Sequence, residues 1–211
     1  MKKYTDAQFA RFPLYLSYFK ELKKEGISFV SSPLIASKFG YSEEQVRKDF
    51  QVFSSVRGVN KRGRDIDVLI KDLENTLGYK HLTRGIVIGV GHLGGALLNY
   101  RNFDELGVNL VAGFDKKYKE PSSFSDVPLF PLDLLDEKLK ELDVEVAVIT
   151  VPEQEAQEVI DKVISAGIKG ILNFAHIGVS IPEGVALENA SLASSFAILL
   201  HKLSILKEDQ E

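Results

Sequence analysis

The chain has 211 residues, 45% of them hydrophobic, and a formal net charge of −4, which is enough material for one large domain or two small ones. It contains no cysteine and four histidines, which excludes disulfides, thiolate metal sites and a cysteine nucleophile and argues against any metal site. No uncharged apolar run reaches membrane-spanning length and the first residues lack a signal-peptide core, so we expect a soluble, cytoplasmic protein without membrane contact.

The charge is unevenly distributed along the chain. Residues 1–80 carry 15 Lys and Arg against 10 Asp and Glu, a net charge of +5, whereas residues 81–211 carry 11 against 20, a net charge of −9. A basic N-terminal part joined to an acidic C-terminal part indicates two domains with different partners. Charge alone does not distinguish a nucleic-acid partner from an ordinary solvated surface.

The first 80 residues begin with a helical pattern. Apolar residues recur every three or four positions from Asp6 to Glu25 and predict one amphipathic helix that Gly26 ends. Ser32 followed by Pro33 predicts the N-cap and first turn of a short second helix, which ends at Gly40.

A third helix and a basic loop follow. Ser42 to Gln45 reads as a capping box, and the helix that it opens runs to about Phe53. Two short helices in succession predict a helix-turn-helix. The polar segment from Ser54 to Asp65 contains two glycines and four basic residues and predicts a wing, and Ile66 to Leu77 predicts a further helix.

Polar side chains on the third helix are suited to reading DNA. Recognition helices place side chains against base edges in the major groove, while Lys and Arg contact phosphates. Residues 47–64 carry six basic residues against one acid, Asp49, so we predict double-stranded DNA as the partner of this part of the chain. The predicted DNA-binding residues are Ser32, Gln45, Arg47, Lys48, Gln51, Lys61 and Arg62.

From Thr83 onward, apolar runs alternate with helical patterns. The runs at 85–90, 108–114, 144–151 and 168–174 predict buried strands, and the segments at about 94–102, 133–141 and 153–166 predict helices. This alternation predicts an α/β fold with a doubly wound parallel sheet. A loop from Lys116 to Asp126 interrupts the second crossover, and a last strand runs from Val185 to Glu188. The predicted domains are residues 1–80, 81–190 and 191–211.

A glycine motif follows the first of these strands. Gly89, Gly91 and Gly94 form a G-x-G-x-x-G pattern, and Asp115 follows Gly94 at about the 20-residue spacing of a ribose-binding acid. In such motifs the glycines permit a tight turn, a close approach of a pyrophosphate and close packing of the next helix, whose N-terminus attracts phosphate. Because the strand and the acid accompany the glycines, the pattern favours a dinucleotide site over an ordinary turn.

The last helix, from Ser191 to Leu206, has a wide apolar face. Such a face most often packs on its own domain. The more specific alternative is that it forms a dimer interface. The predicted dimer residues are Leu192, Phe196, Leu199 and Leu203.

These residues, in order over nearly the whole chain, resemble the Rex family of bacterial redox-sensing transcriptional repressors. Gln45 to Phe50 is similar to the family's recognition helix, and Val87 to Leu97 is similar to its dinucleotide loop and helix. Further matches are Tyr100, Phe103, Phe114-Asp115, Thr150-Val151-Pro152, Ala156-Gln157-Glu158 and the run from Gly170 to Ala175. The combination is far more specific than any one of these motifs.

The resemblance implies a homodimer of winged-helix and Rossmann domains whose C-terminal helix is swapped onto the partner subunit. It also implies a palindromic operator that is bound when NADH is scarce and released when NADH is abundant. NADH and NAD⁺ are therefore the expected cofactors, and no catalytic residue is expected. The predicted cofactor-binding residues are Gly89, Gly91, His92, Leu93, Gly94, Tyr100, Asp115, Lys116, Val151, Pro152 and Asn173.

The chain departs from the family pattern at several positions. An arginine and an aspartate that form a redox-linked ion pair in the family are replaced by Ser17 and Ser191, which avoids leaving one buried charge unpaired. In the wing, Ser54 replaces a glycine and Gly63-Arg64-Asp65-Ile66 replaces Gly-x-Gly-Tyr, while His176 replaces a proline. These changes indicate a divergent member with an altered operator sequence or redox response.

Two other protein classes share parts of the pattern. An NAD-dependent oxidoreductase with an accessory helical domain would share the glycine motif, but the sequence has no Tyr-x-x-x-Lys dyad and no evident nucleophile set. A CoA-binding regulatory protein would share the sheet, but Asp115 suits a free ribose diol. The same carboxylate favours NAD(H) over NADP(H), although Lys116 and Lys117 beside it weaken that preference.

Overall fold

The computed structural model describes residues 4–59, 62–175 and 177–208. The chain divides into two compact units, Met1–His81 and Leu82–Glu211, and each unit has its own hydrophobic core. Two positions discussed above, Lys61 and His176, lie outside the described residues.

The first unit consists of helices and a short two-stranded ribbon. Its elements are α1 (Asp6–Phe9), α2 (Phe12–Lys24), β1 (Phe29–Val30), α3 (Ser32–Phe39), α4 (Glu43–Phe53), β2 (Arg64–Asp65) and α5 (Ile66–Leu77). Strands β1 and β2 pair antiparallel, and α3 turns into α4 at Gly40, which takes a positive φ of 69°. The predicted helix-turn-helix is therefore present, and aromatic side chains from α2 and α4 fill the core beneath it.

The first predicted helix is wrong as a single element. The chain leaves the helix after Phe9 and starts a new one at Phe12. Pro13 lies in the first turn of the new helix, because it has no N–H to donate to the carbonyl of Phe9 and its ring crowds that carbonyl. The predicted stop is correct, since Gly26 has a positive φ of 81°.

The start of α3 is also displaced from the prediction. Ser31 is the N-cap, because its hydroxyl accepts a hydrogen bond from Leu34 N at 3.4 Å. Ser32 and Pro33 lie within the first turn, where a residue without an N–H is tolerated. By contrast, Ser42 caps α4 as predicted and accepts from Gln45 N at 3.1 Å.

The second unit is a seven-stranded sheet with helices on both faces. Its elements are β3 (Thr83–Ile88), α6 (His92–Leu98), a 3₁₀ helix (Arg101–Leu106), β4 (Val108–Asp115), β5 (Ser122–Phe124), β6 (Val127–Pro131), a 3₁₀ turn (Leu132–Leu134), α7 (Leu135–Leu142), β7 (Val146–Ile149), α8 (Glu153–Ser165), β8 (Gly170–Asn173), β9 (Ala186–Asn189) and α9 (Leu192–Glu208). The strand order is β5-β6-β4-β3-β7-β8-β9, and every pair is parallel except β5–β6.

This strand order confirms the doubly wound sheet. The chain moves outward from β3 through β4 to β6 and then crosses back to β7 on the other side of β3. A crevice opens at such a switch point, at the carboxyl ends of the strands. Successive side chains of β3 point to opposite faces, so Ile86 and Ile88 pack in one core cluster and Val87 in another.

The predictions for the two segments that flank β4 are partly wrong. The segment from Lys116 to Asp126 is not a continuous loop, because β5 forms within it, and β6 was not predicted. The turn between these strands uses Ser125 and Asp126 with positive φ angles of 49° and 70°, a conformation in which glycine is the usual signal. The helix predicted over 94–102 is also shorter, since α6 ends at Leu98 and a 3₁₀ helix follows.

The last helix is α9. Among its described residues, none is buried, and the large apolar side chains of its whole length are exposed. Ser191 lies at its start and accepts a hydrogen bond from Ser194 N at 3.1 Å, which is a capping contact. The expectation that this helix packs on its own domain is therefore not met.

Candidate functional site

A tight turn carries the chain from β3 into α6. Gly89 has a φ of +96°, and a Cβ at this position would lie 2.9 Å from the backbone of Thr150. The turn is closed by a hydrogen bond from Gly89 N to Phe114 O at 2.8 Å. Only glycine meets both the backbone angle and the space available, which explains the first glycine of the motif.

The helix that follows packs directly against this turn. A Cβ on Gly94 would lie 2.1 Å from Gly89 O, so the third glycine is required by the close approach of helix and loop. Gly91 is different, because nothing in the chain lies within 4 Å of its Cβ position. The protein's own packing does not require a glycine there, which leaves that space to a ligand above the N-terminus of α6.

Thr150 fastens the turn from the neighbouring strand. Its hydroxyl lies 2.7 Å from Gly89 O and 3.1 Å from Ile88 O, and it donates to these carbonyls. The residue follows β7, which pairs with β3 in parallel register. Thr150 was not among the predicted site residues, because the sequence places it 61 positions from Gly89 and gives no local sign of the contact.

Asp115 ends β4 beside the glycine turn. One carboxylate oxygen accepts from Val90 N at 2.8 Å and the other accepts from Lys117 N at 2.9 Å. The Lys117 ammonium donates to Val90 O and lies 3.9 Å from the carboxylate. Each carboxylate oxygen retains acceptor capacity beyond these bonds, so the side chain can still accept hydrogen bonds from a ribose.

A second acid–base pair spans the same region. Lys116, which follows Asp115, forms an ion pair with Glu155 in the first turn of α8. The Lys116 side chain is 67% exposed and the Glu155 side chain 31% exposed. The pair therefore joins the end of β4 to the first turn of α8.

These groups surround a cavity of about 470 Å³. Seven predicted cofactor-binding residues line it: Gly89, Gly91, Leu93, Asp115, Lys116, Val151 and Pro152. The prediction missed five further lining residues: Ile88, Leu132, Thr150, Glu155 and Phe174. The missed residues come from separate strand ends, which the sheet brings together and the sequence does not.

Four predicted cofactor residues do not line this cavity, and one of them is Gly94, which packs against Gly89 O. His92 is the exposed first residue of α6 and lines a neighbouring cleft. Tyr100 is 52% exposed and packs edge-on to Phe103, with ring centroids 5.0 Å apart. Asn173 is buried, and its amide donates to Asn189 Oδ1 at 2.9 Å, so its described contacts hold β8 and β9 together.

The face of α4 that carries the predicted DNA-binding residues is polar and open. Arg47 pairs with Glu43, and Lys48 Nζ lies 2.8 Å from a Glu44 carboxylate oxygen. These are exposed pairs one helical turn apart, which are weak and easily exchanged for other anions. Gln51 is exposed on the same helix, and Gln45 is half-buried.

The opposite face of α4 is held by a buried carboxylate. Asp49 has no solvent exposure and accepts bonds from Arg11 Nε at 2.7 Å, from an Arg11 terminal nitrogen at 2.6 Å and from the Tyr15 hydroxyl at 2.8 Å. Hydrogen bonding to Asp49 raises the pKa of Arg11, and burial, followed by the bond to Asp49, raises the pKa of Tyr15. Asp49, the one acid in the basic segment 47–64, therefore points into the core and does not neutralise the exposed positive charges of that segment.

The remaining predicted DNA-binding residues differ in their surroundings. Ser32 is buried in the first turn of α3. Arg62 is exposed, with its guanidinium 4.9 Å from the centroid of the Phe29 ring. Lys61 lies outside the described residues, so the structure gives no contact for it.

The predicted dimer residues form an exposed stripe on α9. Leu192, Phe196, Leu199 and Leu203 are between 46% and 61% exposed. Large apolar groups left open to water over a whole helix favour a protein interface.

The described part of the chain offers neither a metal site nor a membrane span. No group of three or more His, Cys, Asp or Glu side chains there is arranged to hold a metal ion. Within the same ranges, no helix is long and apolar enough to cross a membrane.

Two family models match the two parts of the chain. Residues 5–51 match a model described as "Putative DNA-binding protein N-terminus". Residues 80–177 match a model described as "CoA binding domain". The first match covers the helix-turn-helix, and the second covers most of the parallel sheet and its glycine turn.

Curated relatives match nearly the full length. A protein of Treponema denticola named "Redox-sensing transcriptional repressor Rex" is 35% identical over 190 residues, which cover 90% of each chain. A protein of the same name from Caldicellulosiruptor saccharolyticus is 36% identical over 203 residues, which cover 95% of this chain and 92% of that one.

Solved structures give the same match. The Rex-family repressor RSP has a TM-score of 0.87 at 27% identity, and the alignment covers all of both chains. RSP in complex with NAD⁺ and operator DNA has a TM-score of 0.88 at 28% identity, with all of this chain and 97% of that chain covered. The chain therefore belongs to the Rex family of redox-sensing transcriptional repressors.

Proposed function

We propose that the chain is a repressor that binds a palindromic operator as a homodimer and releases it when NADH occupies the crevice of the second unit. The curated relatives are named transcriptional repressors, so the chain is a regulator and not an enzyme. RSP has been solved with NADH and with NAD⁺ together with operator DNA. A repressor acts on the chromosome, so the proposal also carries the expectation of a cytoplasmic location.

One observation carries the nucleotide half of the proposal. The glycine turn, the N-terminus of α6 and the Asp115 carboxylate border one cavity of about 470 Å³. Free backbone N–H groups at a helix N-terminus attract a pyrophosphate, and a carboxylate at the end of the next strand accepts hydrogen bonds from a ribose diol. We assign the pyrophosphate to Gly91 and Leu93 and the adenosine ribose to Asp115.

The DNA half is assigned to the first unit. Gln45, Arg47, Lys48 and Gln51 lie on α4, which follows the turn at Gly40. Within the described ranges, the two basic residues form ion pairs with exposed acids on their own helix, and phosphates can replace such partners. We assign α4 to the major groove and Arg62 to the adjoining backbone.

The dimer is assigned to α9. Its apolar stripe is exposed along the whole described helix, and a second copy of the chain offers the same stripe by symmetry. NADH changes operator affinity only if it favours one arrangement of the two subunits. Because Ser17 and Ser191 replace an ion pair, this preference rests on packing around the dimer contacts.

A titration of ligand against DNA tests the proposal. A duplex selected by the full-length protein from a random-sequence pool is followed by fluorescence anisotropy at constant ionic strength. NADH is expected to weaken duplex binding by a factor of roughly 5 to 150, the usual range of coupling between two sites. NAD⁺ should leave most of the binding intact.

Coenzyme A is the third ligand in this experiment, because the sheet matches a model described as a CoA binding domain. We expect no effect of coenzyme A, since Asp115 would face the phosphorylated ribose of that ligand. Release of the duplex by coenzyme A and not by NADH would replace the present proposal with a CoA-responsive repressor.

A further inference from the structure

Arg64 occupies a fixed position in the ribbon of the first unit. It is the first residue of β2 and pairs with Val30 of β1. The preceding Gly63 has a φ of +90°, and a Cβ there would lie 2.3 Å from Val30 O. The backbone at the base of the wing is therefore held against β1, and the position of Arg64 does not depend on the tip of the loop.

The Arg64 side chain packs on the recognition helix. Its guanidinium carbon lies 4.5 Å from the centroid of the Phe50 ring, and Phe50 is almost completely buried in α4. A guanidinium stacked on an aromatic face loses few rotamers when it binds an anion. The stack therefore holds a positive charge at the junction of the ribbon and α4.

This charge has no anionic partner among the described residues. Arg64 Nε is buried without a hydrogen-bond partner, and no carboxylate in the described ranges lies within ion-pair distance of the side chain. Burial alone lowers the pKa of Arg64. Several other cations of this unit differ, among them Arg11, Arg47 and Lys48, which each pair with an acid.

We propose that Arg64 is an additional DNA-binding residue that contacts an operator phosphate between α4 and the ribbon. A partly desolvated arginine without a protein counter-charge is stabilised by a bound anion, and phosphate is the anion that DNA supplies. The Phe50 ring covers one face of the guanidinium, and we assign the phosphate contact to the side that faces away from this ring. The inference rests on the proposed operator binding by the first unit.

The salt dependence of operator binding tests this assignment. Each neutralised phosphate contributes about 0.9 to the slope of the logarithm of the binding constant against the logarithm of salt concentration. Because both subunits of the dimer carry the change, the Arg64→Gln variant should lower that slope by about two units, roughly 0.9 for each lost contact, and weaken binding at least roughly tenfold at low salt. Arg64→Lys should keep the slope because it keeps the charge, with weaker binding because the stack is lost.

Lys24→Gln is the matched control. Lys24 is an exposed residue at the end of α2, outside both α4 and the ribbon, and its variant loses the same charge. Its slope should equal that of the wild type. NADH affinity should be unchanged in all three variants, because the second unit is not altered.

The outcomes separate the two proposals. If the wild-type protein selects no duplex, the proposed function fails. If Arg64→Gln binds the selected duplex with the wild-type slope, the Arg64 contact is refuted, whether its affinity is normal or reduced. A reduced affinity with an unchanged slope would show that Arg64 only supports the fold of the ribbon.

Discussion

Single residues decide the shape of the nucleotide crevice. Gly89 and Gly94 are required by the protein's own packing, whereas Gly91 has open space around its Cβ position. The Thr150 hydroxyl stabilises the turn through hydrogen bonds to the carbonyls of Ile88 and Gly89. The glycines of this motif are therefore required for different physical reasons, either the protein's own packing or the binding of a ligand. Substitutions at these positions should accordingly give different results.

Alanine at the two later glycines should separate folding from binding. Gly94→Ala places a Cβ 2.1 Å from Gly89 O, so we expect a loss of stability of roughly 1–3 kcal/mol together with weaker NADH binding. Gly91→Ala meets nothing in the free chain and should keep the melting temperature but lose NADH affinity. Calorimetry of both variants measures this, and equal NADH affinity in Gly91→Ala and wild type would contradict the phosphate assignment.

Glu155 should control which dinucleotide is preferred. It pairs with Lys116 beside Asp115, so the Glu155 carboxylate competes with a 2′-phosphate for this lysine. Glu155→Gln releases Lys116, and the ratio of the NADPH to the NADH dissociation constant should fall by a factor of roughly 2 to 5, the size of an exposed ion pair.

Glu158→Gln is the control for this change, because Glu158 is exposed on the same helix and outside the cavity lining. Its ratio of dissociation constants should match that of the wild type. If both variants shift the ratio equally, the effect is one of net charge and Glu155 has no particular role.

Among the helices and strands, those that are marked by local signals such as caps and apolar runs were predicted from the sequence. Helix α5 was predicted at its observed bounds, because Asp65 and Gly78 are strong cap signals. The strands of the parallel sheet were predicted from apolar runs. The β5–β6 hairpin was missed because β5 is exposed and its turn contains no glycine, so no apolar run or turn signal marks it.

Long-range contacts were the other part that the sequence did not predict. Asp49 was counted against the basic residues of its segment, but it is buried against Arg11, 38 residues earlier in the chain. Thr150, Glu155 and Phe174 reach the cavity from three different segments. Such positions are set by the order of strands in the sheet, which local patterns do not contain.

The Asp49 cluster should fix the recognition helix. Asp49→Asn leaves Arg11 charged and largely buried, and breaking a buried pair costs about 3–5 kcal/mol. We expect the first unit to melt at a much lower temperature and operator binding to be lost, while NADH affinity is kept. Circular dichroism melting with parallel NADH titration measures this.

Glu44→Gln serves as the control in α4, since it breaks only the exposed pair with Lys48 and should leave the melting temperature unchanged. A normal melting temperature and normal operator affinity in Asp49→Asn would contradict a positioning role for Asp49.

The whole molecule joins a basic, DNA-binding half to an acidic, nucleotide-binding half on one chain. Within the described residues, α9 is left without a covering element. A repressor of a palindrome needs two copies of α4 related by symmetry, and α9 is the surface that we assign to holding the copies together. Dimer formation and operator binding should therefore be lost together.

A single charge on α9 tests this link. Leu199 is 57% exposed, and Leu199→Glu should give a monomer in sedimentation velocity with severely reduced operator affinity, because a buried carboxylate in an apolar interface is strongly unfavourable. His201→Glu adds the same charge on the opposite side of α9 and should disturb the dimer less. A Leu199→Glu protein that remains dimeric and binds the operator would show that the subunits associate elsewhere.

The central claim is that nucleotide and operator binding are coupled through one chain. Coupling is reciprocal, so the factor by which NADH weakens operator binding must equal the factor by which operator weakens NADH binding. The most direct measurement is the NADH dissociation constant of the full-length dimer with and without a saturating selected duplex. We predict weaker NADH binding in the presence of the duplex, by the factor found in the anisotropy titration. An NADH dissociation constant that is the same in both conditions would contradict the account.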